Sequence, residues 1–298
     1  MTQLKNELHP RNRHRGFYDF KQLIKSCPEL SKFVAPNKYG NESIDFTSPI
    51  AVKTLNKAIL SFFYDIAWDL PEPFLCPPIP SRADYIHYIA DLLGSSNGGV
   101  IACGKEIVVL DVGVGANCIY PLIGSREYGW SFIATEIDPS AILIANGILE
   151  KNSLTESIEI RLQKNPSNIF DGILKESDFT VDVSMCNPPF HSSLAEAQAG
   201  TKRKWGNLKV KTNVLNFGGQ NNELWCNGGE VVFIKRMIEE SVHVKCKWFT
   251  TIVSKASNLP IIYRALDEVK AFEVRTIHMG QGQKKGRIVA WTYSNSSV

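Results

Sequence analysis

Two periodicities divide this chain. Up to about residue 104, apolar residues recur at helical spacing, and the pattern predicts helices over 17–34 and 49–65. Ser48-Pro49 supplies an N-cap and first-turn pair for the second of these. A Pro-rich stretch, 71–80, comes next, and then Tyr85, Ile89 and Leu92 mark an amphipathic helix over 82–93. From about residue 105 short apolar runs alternate with helical patterns. Ile107-Val108-Val109-Leu110 predicts a strand that ends in Asp111 and a glycine-rich turn. A helix follows, then a strand at 132–134 ending near Glu136, a helix at 139–151, and strands at 158–162 and 181–185. Strands alternating with helices predict a parallel, doubly wound sheet. Runs at 248–253, 273–279 and 287–293 read as three further strands, the last two flanking Gly280-Gln281-Gly282 as an antiparallel hairpin. Residues 194–228 are polar, glycine-rich and basic, and read as a long loop of the kind that carries function or is disordered.

Composition changes this picture in few places. The 298 residues allow one large α/β domain with an added segment, and 44% apolar content suffices for a buried core. Net charge is only +3, but its distribution is uneven. Residues 1–16 carry four basic groups (Lys5, Arg11, Arg13, Arg15) against Glu7 alone, a surplus equal to that of the whole chain, so this segment reads as a mobile basic arm. Seven cysteines without a C-x-x-C pair argue against a disulfide framework or a zinc ribbon. The six histidines show no metal-ligand spacing, and no metal is expected. There is no apolar leader and no run near the ~18–20 residues of a membrane span, so a cytoplasmic protein without membrane contact is expected.

Two motifs carry candidate chemistry. Asp111-Val112-Gly113-Val114-Gly115 follows a strand and precedes a helix, where glycine lets backbone approach a nucleotide-type ligand closely. Glu136 lies 23 residues beyond Gly113, at the end of the next strand, where a carboxylate can accept both ribose hydroxyls. The third glycine of a dinucleotide fingerprint is replaced by Cys118, which disfavours NAD. The second motif is Asn187-Pro188-Pro189-Phe190 at the end of the 181–185 strand. An exocyclic amine on an aromatic ring is a poor nucleophile, because its lone pair is delocalised. The Asn187 side-chain oxygen and the Pro188 carbonyl can accept its two N–H groups, proline holding them pre-aimed, and Phe190 offers a ring for stacking. Basic groups interleaved with aromatics form a third feature: Arg11, Arg13 and Arg15 in the arm, Lys202, Arg203 and Lys204 near Trp205 in the loop, and Lys284, Lys285 and Arg287 late in the chain. They suit phosphate contacts and base stacking on RNA.

At these residues the sequence resembles a known family. HPRNRHRGFYDF, CPPIPSRADYIHYIADLL, DVGVGANCIYPLIG, ATEID, MCNPPFH and NGGEVVFIKRMI are similar to segments of the RlmF family, bacterial 23S ribosomal RNA adenine-N6 methyltransferases related to the eukaryotic U6 small nuclear RNA enzyme. The resemblance implies an α/β, class I S-adenosylmethionine-dependent methyltransferase fold: a Rossmann-like, mostly parallel seven-stranded sheet with a C-terminal antiparallel hairpin. It implies a basic, helical RNA-binding segment over 1–80 and a methyltransferase domain over 81–298. Carried over, Arg82 contacts the carboxylate of S-adenosylmethionine, Gly113 its methionine portion, Glu136 its ribose and Ser167 its adenine. Asn187, Pro188 and Phe190 serve catalysis, with Asp111 and Gly115 completing the cofactor site. Arg11 and Arg13 match positions used on RNA. The partner implied is 23S ribosomal RNA or a large-subunit assembly intermediate. Two alternatives stay open on the motifs alone: a protein glutamine-amide methyltransferase, and an RNA-binding protein of this fold without turnover.

Overall fold

Strands β3 (Val108–Val112), β4 (Ser131–Glu136), β5 (Ile158–Leu162), β6 (Val181–Cys186) and β7 (Cys246–Val253) run parallel in one sheet. β8 (Glu273–Gln281) and β9 (Lys284–Thr292) form a hairpin, and β9 pairs antiparallel with β7. The order across the sheet is β5-β4-β3-β6-β7-β9-β8. The computed structural model describes residues 7–175, 178, 180–190, 193, 225–281 and 284–294.

Both faces of the sheet are covered, which is why its central strands β3, β4 and β6 are buried along nearly their whole length rather than on alternate residues. Val109, Phe132, Ala134, Trp248 and Ile252 belong to one core with helices α2 (Pro49–Tyr64), α3 (Ile79–Ser95), α4 (Ile119–Tyr128) and α5 (Pro139–Lys151). Leu110, Val112, Ile133, Phe249 and Val253, one residue out of phase, belong to a second core with α6 (Gly229–Ser241) and α7 (Leu259–Glu268). Between β3 and β6 the chain reverses its direction of travel across the sheet. That reversal opens a crevice at the strands' carboxyl ends, where α/β folds bind ligands.

The N-terminal region departs from its sequence pattern in two ways. The helix expected over 17–34 is split: α1 (Phe20–Ser26) stops before Pro28, which disfavours helical backbone at Cys27, and a 3₁₀ turn (Pro28–Lys32) follows. β1 (Val34–Pro36) and β2 (Glu42–Ile44) then form a small hairpin, too short to show an alternation. The expected helix at 49–65 is α2, and Ser48 Oγ caps it by accepting from Ala51 N at 3.4 Å. The second departure is the arm. Residues 7–16 are docked, with Leu8, His9, Asn12 and His14 buried. Asn12 Nδ2 donates to the Pro80 carbonyl at 2.8 Å, and His14 Nε2 lies 2.8 Å from the Tyr64 hydroxyl. The basic residues that made this segment look like a tail alternate with these buried ones. N-terminal residues such as Leu23, Leu30 and Leu60 share the first core with the sheet.

Candidate active site

β3 ends in a turn that only glycine fits comfortably. Gly113 and Gly115 have φ of 75° and 64°, in the left-handed region. A Cβ on Gly113 would project into open space. That space is a cavity of about 520 Å³ at the carboxyl ends of β3, β4 and β6. Gly115 N donates to Glu136 Oε2 at 2.9 Å, and Glu136 Oε1 accepts from Ile137 N at 2.7 Å and Asp138 N at 3.1 Å. The carboxylate of β4 is thereby fixed against the glycine turn of β3. Burial pushes its carboxyl above the usual carboxylate range despite these three donors.

Asp111 lies one layer below. It is 1% exposed, its Oδ2 has no hydrogen-bond partner, and burial raises its carboxyl to about 8, with Glu136 adding to the shift and Arg82 opposing it. It is absent from the cavity lining. Arg82, on the first turn of α3, does line the cavity, and its guanidinium sits over the Tyr120 ring at 5.4 Å.

The end of β6 is braced from α3 and β7. The Tyr85 hydroxyl accepts Cys186 N at 3.3 Å and lies 2.8 Å from Thr250 Oγ1, which in turn donates to the Ser184 carbonyl at 2.8 Å. Asn187 follows immediately, and its Oδ1 is buried without a partner. Such an atom costs about 1–3 kcal/mol unless something completes it. The adjoining Pro188 is buried and lines the same cavity, whereas Phe190 packs half-buried against the first core and is not part of the lining.

The cavity thus gathers Arg82, Gly113, Gly115, Glu136, Ser167, Asn187 and Pro188. Ser167 sits on the loop after β5 and is exposed. The opposite wall contains residues that sequence reasoning missed: Trp225, Phe233 and Arg236. Phe233 and Arg236 are on α6, whose helical spacing of Ile234, Met237 and Ile238 was the available signal. Trp225 had none, because it falls within the stretch 194–228 that reads as a long loop. Lys202, Arg203, Lys204, Trp205 and His191 lie outside the described residues, as do the side chains of Lys284 and Lys285. Arg11 and Arg13 face acidic partners of the fold: Arg11 Nη2 is 2.7 Å from Asp91, and Arg13 Nη2 is 3.0 Å from Glu127. Arg15 Nη1 donates to the Pro10 carbonyl at 3.4 Å. Among the described residues no cluster of metal-ligating side chains occurs, and no helix is long and apolar enough to cross a membrane.

Comparison with known proteins gives a consistent result. A family model described as RNA methyltransferase matches residues 2–295. "Ribosomal RNA large subunit methyltransferase F" of Pseudomonas savastanoi pv. phaseolicola is 55% identical over 297 residues, covering 97% of this chain and 90% of that protein. Its namesake in Yersinia enterocolitica is 56% identical, covering 97% and 88%. Among solved structures, the human METTL16 catalytic domain in complex with MAT2A 3′UTR hairpin 1 superposes with a TM-score of 0.81 at 28% identity, covering 97% of this chain and 96% of that one. The N-terminal domain of human METTL16 in complex with SAH superposes with a TM-score of 0.75 at 27% identity, covering 97% and 99%.

Proposed function

The chain belongs to the RNA methyltransferase family, and on that premise we propose that it methylates the exocyclic N6 of one adenine in 23S ribosomal RNA. It is an S-adenosylmethionine-dependent enzyme, and the residues around the cavity fit that cofactor. The Gly113 turn leaves room where a side chain would intrude. When bound, the cofactor supplies an electrophilic sulfonium methyl. In this reading Arg82 takes the methionine carboxylate, the Gly113–Gly115 turn faces the methionine portion, Glu136 takes the ribose hydroxyls, and the loop bearing Ser167 faces the adenine. Asp111 holds the turn.

The observation that carries the acceptor reading is Asn187 Oδ1, a buried acceptor with no partner beside that cavity. An adenine amine brought there donates one N–H to this oxygen and the other to the Pro188 carbonyl. Both contacts point the nitrogen lone pair at the methyl and strengthen as positive charge develops on nitrogen. Because Phe190 packs against the core, its part is to fix the Pro-Pro turn as well as to offer a ring edge. Residues 1–80, with Arg11, Arg13 and Arg15, form the RNA-binding side of the molecule in this proposal, and 81–298 the methyltransferase domain. Lys202, Arg203 and Lys204 add phosphate contacts. The substrate is the RNA itself or a large-subunit assembly intermediate.

The test is methyl transfer from labelled cofactor to total RNA, followed by mass mapping of nucleosides from cells with and without the protein. N6-methyladenosine at one 23S position, lost with the protein, is expected. Label in protein would point to a glutamine amide, and RNA binding without label to a silent binder; either outcome overturns the proposal.

A further inference from the structure

We infer that Glu240 is the positioning residue for the cofactor's adenosine end, acting through the backbone of the loop after β5. Its carboxylate, near the end of α6, accepts from three consecutive amides. Ile169 N donates to Oε1 at 3.0 Å and to Oε2 at 2.8 Å, Phe170 N to Oε2 at 2.7 Å, and Asp171 N to Oε2 at 3.2 Å. Ser167, Asn168 and Ile169 of that loop line the cavity, and so do Phe233 and Arg236 of α6. One side chain therefore joins the two walls between which a ligand must fit.

At the cavity end of the loop, among the described residues, the other side-chain hydrogen bonds run within it, while Arg161 of β5 holds the far end by donating from Nη1 to the Ile173 carbonyl at 3.0 Å. Gln163 Nε2 donates to the Asp171 carbonyl at 2.9 Å, Gln163 Oε1 accepts Asn165 N at 3.0 Å, and Asn165 Oδ1 accepts Ser167 N at 3.0 Å. These bonds set the loop's shape but not its place. Ile169 and Phe170 insert into the second core, whose apolar contacts are not directional. Charge-assisted bonds to successive amides are directional, and they fix the loop's register against α6. Glu240 is not among the residues that line the cavity. It acts as an outer support acts on a site, by holding the residues that do.

The inference rests on the cofactor reading above, specifically that the 163–169 side of the cavity holds the adenosine end. The experiment compares Glu240→Ala and Glu240→Gln with wild type and with Glu136→Gln. It measures S-adenosylhomocysteine affinity by calorimetry, kcat and cofactor KM on RNA, and hydrogen exchange of amides 169–171. For Glu240→Ala we expect cofactor affinity to weaken on the order of tenfold, with kcat at saturating cofactor nearly unchanged and faster exchange at the three amides. Glu240→Gln keeps an acceptor where Oε2 lies and should restore most of the affinity. Faster exchange with unchanged affinity would overturn the inference, since the bonds would then be structural only. If Glu240→Ala does not fold, Glu240→Gln decides: faster exchange at the three amides together with a partial loss of affinity supports the inference, and unchanged affinity overturns it. Unchanged affinity in Glu136→Gln as well would instead overturn the cofactor reading.

Discussion

Arg11 Nη2 lies 2.7 Å from Asp91 Oδ1, and the same guanidinium donates to the His87 carbonyl and the Tyr128 hydroxyl, each at 3.0 Å. The basic segment at the N-terminus is therefore a strap across α3 and α4. Its buried residues carry the stability. His14 is fully buried, bonded to Tyr64 and packed edge-on against Phe63 at 5.0 Å. Replacing it with alanine should cost about 2–3 kcal/mol. Thermal unfolding should drop by roughly 4–12 °C, and deleting residues 1–16 should cost more. A deletion variant with wild-type melting and only weaker RNA binding would mean that the strap contributes nothing to the fold.

His87 makes the strap's interface sensitive to acid. It is 0% exposed, Nδ1 is 2.6 Å from the Tyr128 hydroxyl, and Nε2 has no hydrogen-bond partner. Burial pushes its pKa down to about 3, helped by the nearby charges of His9, Arg11 and Arg13. The native state then keeps His87 neutral, while the unfolded chain takes up a proton near the ordinary 6.5. Falling pH favours the unfolded chain, so stability declines from about 6.5 down toward 3, by up to about 1.4 kcal/mol per pH unit from this one group. Denaturant titrations at pH 6.5, 5.5 and 4.5 should show a smaller decline in His87→Phe than in wild type. Parallel declines would place the sensitivity elsewhere.

The strap also shows where the sequence was legible and where it was not. β3 and β4 stood out because burial on both faces gives short apolar runs, 108–110 and 132–134, bounded by turns, and the glycine turn stood out because its backbone demands glycine. The docking of residues 7–16 was hidden. Leu8, His9, Asn12 and His14 are single buried positions without a period, set among charges whose partners Asp91 and Glu127 are over 75 residues away. The far wall of the cavity was hidden for the same reason. Nothing near Glu240 in the chain reveals that it meets amides about 70 residues earlier. Asn187 was legible because its neighbours Pro188 and Pro189 form a local motif. The position of Asp111 at a strand end is visible in the sequence, while its burial depends on the neighbouring strands β4 and β6.

Glu136 serves the fold and the proposed cofactor site together. Glu136→Ala would leave the amides of Gly115, Ile137 and Asp138 without their acceptor, so lower melting should accompany weaker cofactor binding. Glu136→Gln is the cleaner variant, since one oxygen remains. It should bind S-adenosylmethionine about 1–3 kcal/mol more weakly, the scale of a lost charge-assisted bond, and should melt between wild type and the alanine variant, since its NH2 leaves at least one of those amides without an acceptor. Calorimetry showing wild-type affinity in the folded glutamine variant would remove Glu136 from the ribose role.

Asn187 tests the chemistry. Its oxygen has two tasks in the proposed site: it aims the amine, and it accepts an N–H whose hydrogen becomes more acidic as the new bond forms. The second task grows toward the transition state, so its loss should appear in kcat more than in RNA affinity. Asn187→Ala should lower kcat by on the order of 10²–10³, as expected for removing one preorganised polar group. It also removes a buried atom that has no partner in the free protein, so melting should stay level or rise. Asn187→Asp retains an acceptor of the same shape and should keep more activity than alanine. The carboxyl of Asp111, which burial raises to about 8, belongs to the same end of the sheet, so its ionisation above that pH should reduce the advantage of aspartate over alanine. Single-turnover methylation at pH 7 and pH 9, run beside cofactor binding, separates these effects. Wild-type turnover in Asn187→Ala would mean that the amine is held by something other than this oxygen, and the acceptor mechanism would fall.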